Sequence, residues 1–238
     1  MKFTTLQRYK LDQIQTCDFA NGSAQYFSLC GNGHAVNEDG LLLGAYHHQC
    51  QFMLVADGMG GHPGGDEAVE IILETFKKKY ARSKAIVPDT RLFQVLDTCN
   101  RAVMAHKKDT GSTLCLALLQ AASVQFFCVG DSLGMVLDAN QEVKYATVEE
   151  NSIAMADEIG VVPQEPFLLN YVGYERISYQ VSPQIPIQKG DQIFLMTDGA
   201  HEFFEQEDEK NIEHFMQKLV GIRASHRLDD ATCICLNR

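Results

Sequence analysis

The stretch TLCLALLQAASVQFFCVGDSLGMVLDANQEVKYATV, residues 113–148, decides the fold. It divides into TLCLALLQ, VQFFCVGD, GMVLDAN and VKYATV, runs of strand length rich in apolar and β-branched residues. Turns of the Ala-Ala-Ser and Ala-Asn-Gln kind separate them, too short for a crossover, so neighbouring strands run antiparallel. Upstream the period changes. DEAVEIILETFKKKYARS (66–83) places Ala68, Ile71, Ile72, Thr75, Phe76 and Tyr80 at helical spacing, with acids opening it and Lys/Arg closing it, as the helix dipole prefers. Residues 90–106 give a second helix striped by Leu92, Val95, Leu96, Cys99, Val103 and Met104. QYFSLCGN (25–32) reads as a strand entering a loop, and LLLGAY (41–46) and QFMLVA (51–56) as a hairpin about HHQC. Downstream, 151–160 reads as a short helix, RISYQVS (176–182) and QIFLMTD (192–198) as strands, NIEHFMQKLVGI (211–222) as a helix and ATCICLNR (231–238) as a last strand. The pattern predicts a single domain over residues 1–238, an α+β layered sandwich in which antiparallel strands alternate with pairs of helices.

Composition narrows the partners. With 20 Lys+Arg against 31 Asp+Glu the formal charge is 20 − 31 = −11, which opposes a nucleic acid or an anionic membrane surface. The most apolar stretch, 114–130, is interrupted by Gln120, Ser123 and Gln125 and falls short of a membrane span, and MKFTTLQRYKLDQ lacks the apolar core of a signal peptide. Eight cysteines are scattered without a CxxC pair, several inside strand-like runs, so reduced thiols in a cytoplasmic setting are expected. Cys233 and Cys235 fall on one face of a strand and read as core.

The acids are placed unevenly. Glu38-Asp39 precedes LLLGAY, Asp57 ends FMLVA, Asp131 ends VQFFCVG, Asp198 ends QIFLMT and Asp229-Asp230 precedes ATCICL. Any one of these fits ordinary turn chemistry. Five together at strand ends can converge on one rim of a sheet, where carboxylates repel unless a hard divalent cation such as Mg²⁺ or Mn²⁺ neutralises them.

The motifs VNEDG (36–40), ADGMGGHPGG (56–65), GST (111–113), GDS (130–132), TDG (197–199) and DDAT (229–232) occur in an order that resembles one family. It is the PPM, or protein phosphatase 2C-like, family of metal-dependent serine/threonine protein phosphatases, above all its compact bacterial members. The resemblance implies a four-layer α-β-β-α sandwich with two central, mainly antiparallel sheets flanked by helix pairs, and a centre of two Mn²⁺ or Mg²⁺ ions with a possible third. It implies Asp39, Asp57, Asp198 and Asp229 as catalytic metal carboxylates, with Asp57 bridging, Gly58 as a carbonyl ligand and Glu38 binding directly or through water. Asp131, with Asp198, matches a third-metal site. Hydrolysis would proceed by attack of a metal-bridging water on phosphoserine or phosphothreonine of a protein, a Ser/Thr kinase or its target.

Departures from the family pattern concern positive charge. His34 stands where an Arg usually grips the substrate phosphate; it could donate to phosphate, or be a plain loop residue. Leu133 and Tyr171 stand where further arginines are usual, and Glu202 where an Asp is usual. His62 reads as structural, and His47-His48 as a solvated turn. Two rivals to the enzyme reading follow: a catalytically weak or inactive homologue serving as a phosphoprotein-binding or partner-binding module, and a hydrolase of small phosphorylated molecules.

Overall fold

The computed structural model describes residues 2–7, 11–59, 64–81, 89–106, 110–152, 167–204, 211–223 and 228–238. In chain order its elements are β1 (Lys2–Gln7), β2 (Leu11–Phe19), β3 (Gly22–Leu29), β4 (Asp39–Tyr46), β5 (Gln49–Asp57), α1 (Gly65–Ala81) and α2 (Asp89–His106). There follow β6 (Leu114–Leu119), β7 (Ser123–Val129), β8 (Leu133–Leu137), β9 (Val143–Ala146), β10 (Gln180–Val181), β11 (Ile185–Pro186), β12 (Gln192–Met196), α3 (Asp198–Phe204), α4 (Ile212–Arg223) and β13 (Ala231–Asn237). One sheet has the order β1-β4-β5-β6-β7-β10, with β11 also on β7; the other runs β2-β3-β13-β12-β8-β9. The paired strands are antiparallel.

Three apolar cores make this a four-layer sandwich. Leu114, Leu116 and Leu118 of β6 face α1 and α2, whereas Cys115, Ala117 and Leu119 face the second sheet. In β13, Ile234 and Leu236 join the central core while Cys233 and Cys235 face α3 and α4. The period of two therefore divides each strand between two dry surfaces, which explains why LCLALL reads as unbroken apolar sequence rather than as an alternation. At about 1.5–3 kcal/mol per fully buried large apolar side chain, this double burial is the main force holding the layers together. Phe52, Phe76 and Tyr80 pack edge and face in the first core, with centroids 4.6–5.4 Å apart.

Sequence and structure differ in places. MKFTTLQRYKLDQ, left without assignment above, supplies β1 and the start of β2, which extend opposite sheets through β4 and β3. The β4–β5 hairpin turns in only two residues, His47 (φ 48°) and His48 (φ 62°), so β5 begins at Gln49. Both histidines are exposed, as a solvated turn requires. RISYQVS yields only the two-residue strand β10: before it the Ser178 carbonyl accepts from the Asn170 side-chain amide at 2.8 Å, and after it Pro183 and Pro186 bring no ladder donor. The helix expected over 151–160 lies, from residue 153 onward, outside the described residues.

Candidate metal centre

Asp39 opens β4 and Asp57 closes β5, directly opposite each other in register. Asp198 follows β12 and Asp229-Asp230 precede β13, which pairs with β12. The carboxylates of both sheets thus meet at one end of the sandwich, around a cavity of about 480 Å³ lined by Glu38, Asp57, Asp131, Asp198, Asp229 and Asp230, with His34 and Gly58. Asp39 stands apart from that lining. It is 1% exposed and accepts a 2.9 Å hydrogen bond from the Thr197 hydroxyl on the other sheet. The same hydroxyl accepts from the Thr232 amide at 2.9 Å.

Two sets of hydrogen bonds fix the strand ends. The Asp57 amide donates to Thr113 Oγ1 (3.0 Å) and the Thr113 amide to the Asp57 carbonyl (2.8 Å). Asp230 accepts from the amides of Gly31 (2.5 Å) and Glu38 (2.7 Å), so its carboxylate closes the loop that carries His34, Glu38 and the start of β4. Gly58 is required by space: a Cβ there would lie 2.5 Å from the Gly65 carbonyl carbon at the start of α1.

The electrostatics are those of buried, converging carboxylates. Burial first, then the neighbouring carboxylates, pushes Asp57 and Asp39 well above the usual carboxylate range. Burial and Asp198 push Asp131 up to about 7, and burial raises Glu38 and Asp229. For His34, burial works downward, but Asp230, Asp229 and Glu38 outweigh it and the imidazole is raised. Among the described lining residues none is Lys or Arg. Asp39 Oδ1 is buried without a hydrogen-bond partner. An orphaned carboxylate oxygen behind converging carboxylates, with no guanidinium or ammonium facing them among the described residues, fits divalent cations held through oxygen.

The positions singled out by their missing arginines separate in space. His34 lines the cavity, with Nδ1 3.2 Å from Asp230 Oδ2 and 3.6 Å from Asp229 Oδ1. Leu133 is buried in the core under α3 and α4. Tyr171 packs at a tilt against Tyr174, ring centroids 5.3 Å apart, and lies over Gly111. Glu202 is exposed on α3, and His62 lies outside the described residues.

Sequence reasoning missed a second network. His201 on α3 pairs with Glu149 (2.8 Å); Asn151 Nδ2 donates to Glu149 (3.1 Å) and weakly to Asp131 (3.4 Å). Only the position of His201 one turn after Asp198 could have hinted at it. The Asp230 clamp was equally hidden, since the resemblance singled out Asp229 of DDAT and gave Asp230 no role.

Residues 31–231 match the model of the family described as protein phosphatase 2C. The serine/threonine phosphatase stp of Listeria monocytogenes is 25% identical over 165 residues, 62% of this chain and 65% of that protein, so the chain spans about two thirds of the curated relatives it matches. Among solved structures, the fold is similar to the Staphylococcus aureus serine/threonine phosphatase Stp1 (TM-score 0.77, 20% identity, 94% and 98% of the two chains). It is also similar to the Mycobacterium tuberculosis phosphatase PstP/Ppp (TM-score 0.70, 19% identity, 90% and 98%). A structure of the PstP catalytic domain holds two manganese ions. The chain belongs to the protein phosphatase 2C family.

Proposed function

We propose that this chain is a cytoplasmic, Mn²⁺- or Mg²⁺-dependent protein phosphatase acting on phosphoserine and phosphothreonine, opposite a Ser/Thr kinase. The carrying observation is the cavity itself, where Asp57, Asp131, Asp198 and Asp229 from four strand ends face one space without a Lys or Arg among the described lining residues. Gly58 brings backbone within reach, Glu38 completes the acidic wall and Asp39 stands behind it. We assign two cations to Asp57, Asp198, Asp229, Gly58, Glu38 and Asp39, and a third place to Asp131 with Asp198.

Bound there, such ions supply an acidified water and a counter-charge for the phosphoryl oxygens. The chain's own residues hold the carboxylates in register, through the Asp39–Asp57 strand pair, the Thr197 hydroxyl and the Asp230 clamp. With no Lys or Arg among the described lining residues, phosphate binding should need loaded ions, which would make turnover metal-dependent.

The test is Mn²⁺-dependent hydrolysis of p-nitrophenyl phosphate and of a phosphothreonine peptide, with Asp57→Asn lowering turnover by at least about 10²-fold. Metal-independent or absent turnover in the wild type would overturn the enzyme reading and leave the binding module. Preference for metabolite phosphates over the peptide would move the assignment to small-molecule hydrolysis.

A further inference from the structure

His34 lies against two carboxylates of the cavity wall. Its Nδ1 is shielded from solvent and has no aligned hydrogen-bond partner, although Asp230 Oδ2 is only 3.2 Å away and Asp229 Oδ1 3.6 Å away. The nitrogen therefore aims at neither oxygen. One ligand atom from each of His34, Asp229 and Asp230 falls within a 4.8 Å cluster. Ligands about 2.1 Å from a common ion stand about 3.0 Å apart at right angles and about 3.4 Å apart in a tetrahedron. The two measured separations bracket the tetrahedral spacing and approach the right-angled one. The Asp230 carboxylate spends two of its lone-pair positions on the Gly31 and Glu38 amides and retains others.

The geometry points to His34 as a nitrogen ligand of the cation at the Asp229 end of the cavity, which makes that end a mixed nitrogen–oxygen site selective for a first-row transition ion such as Mn²⁺, Fe²⁺ or Zn²⁺ over Mg²⁺. The chemistry is that of donor type. Imidazole suits the borderline transition ions, whereas Mg²⁺ favours oxygen in strict octahedral order and yields its waters reluctantly. The inference rests on the metal-centre reading above and replaces the expectation that His34 grips phosphate.

The test uses the full chain loaded with Mn²⁺ and read by pulsed electron paramagnetic resonance, with Mn²⁺ and Mg²⁺ affinities measured by calorimetry. The expected result is a nitrogen coupling in the wild type that disappears in His34→Ala and His34→Gln, with the Mn²⁺-to-Mg²⁺ affinity ratio falling at least about tenfold. Mn²⁺ bound without nitrogen coupling in the wild type, or a ratio changed less than about twofold in both variants, overturns the ligation of His34 and leaves the oxygen-ligated centre standing. Absence of Mn²⁺ binding in the wild type overturns both. The wild-type spectrum decides even where a variant fails to fold.

Discussion

Asp230→Ala isolates what holds the first acidic loop in place. The carboxylate accepts the Gly31 amide at 2.5 Å and the Glu38 amide at 2.7 Å, and it is 3% exposed. Hydrogen bonds to a charged acceptor contribute about 1.5–3 kcal/mol each, so their joint loss has a ceiling of about 6 kcal/mol. Two effects reduce it. Removing this charge relieves repulsion on Asp39 and Glu38, whose protonation it favours, and the half-buried Glu38 amide can turn to water. A net loss of about 3 kcal/mol remains, equivalent to about 6–12 °C of melting temperature for a domain of this size. Urea unfolding of the metal-free protein measures it. Asp230→Asn keeps one acceptor but faces the other amide with an NH₂ group, so its loss should fall between wild type and Ala. An alanine variant within about 0.5 kcal/mol of wild type would show that the loop is held by something else and refute the reasoning.

Thr197→Val removes the hydroxyl that donates to Asp39 and accepts from the Thr232 amide; a loss of about 2 kcal/mol is expected in the same assay, and an unchanged midpoint argues against a cross-sheet role. Gly58→Ala forces a Cβ against the Gly65 backbone, at a cost of about 1–3 kcal/mol, and should weaken Mn²⁺ binding in calorimetry more than it lowers the urea midpoint. Asn151→Ala frees Asp131 from its only side-chain amide donor among the described contacts; a several-fold rise in the Mn²⁺ concentration needed for half-maximal activity, with stability changed by less than about 1 kcal/mol, is the expected pair of results. Burial raises the Cys50 and Cys99 thiols from 9.0 to about 12. A raised folded value means stability intact below the unfolded value and lost as pH climbs from about 9 toward 12, at about 1.4 kcal/mol per pH unit for each thiol. Flat stability between pH 8 and 10.5 would contradict the packing assigned to these thiols.

The layers were legible because the strands are buried on both faces: LCLALL and ATCICL declare themselves by apolar density, and α1 and α2 by spacing and charged ends. The edges were not. β1 and β2 carry Thr, Gln and Asp on surfaces that remain partly wet, so no apolar run marks them. Among the site residues, the acids at strand ends were visible because turn chemistry alone does not place so many together. Their depth was invisible: Asp39 and Asp57 are opposite in register, yet Asp39 lies behind the wall and Asp57 on it. Both Asp229 and Asp230 line the cavity, and that Asp230 also clamps a loop depends on backbone direction at the entry to β13. The missing arginines seemed to form one pattern from the sequence, but Leu133 belongs to a core and Tyr171 to an aromatic pair, which leaves His34 alone at the cavity.

The hydrogen bond from Thr197 to Asp39 crosses from one sheet to the other, and so does the acidic wall, with Asp57 on one sheet and Asp198 and Asp229 at the ends of the other. The interdigitating side chains of the central core set how far one sheet can slide on the other. Cations shared between carboxylates of the two sheets would lock that sliding coordinate at one end. The spacing between the ions would then act as a vernier for the alignment of the sheets, so that a core substitution that shifts one sheet against the other would be read out as altered metal affinity as well as lost stability.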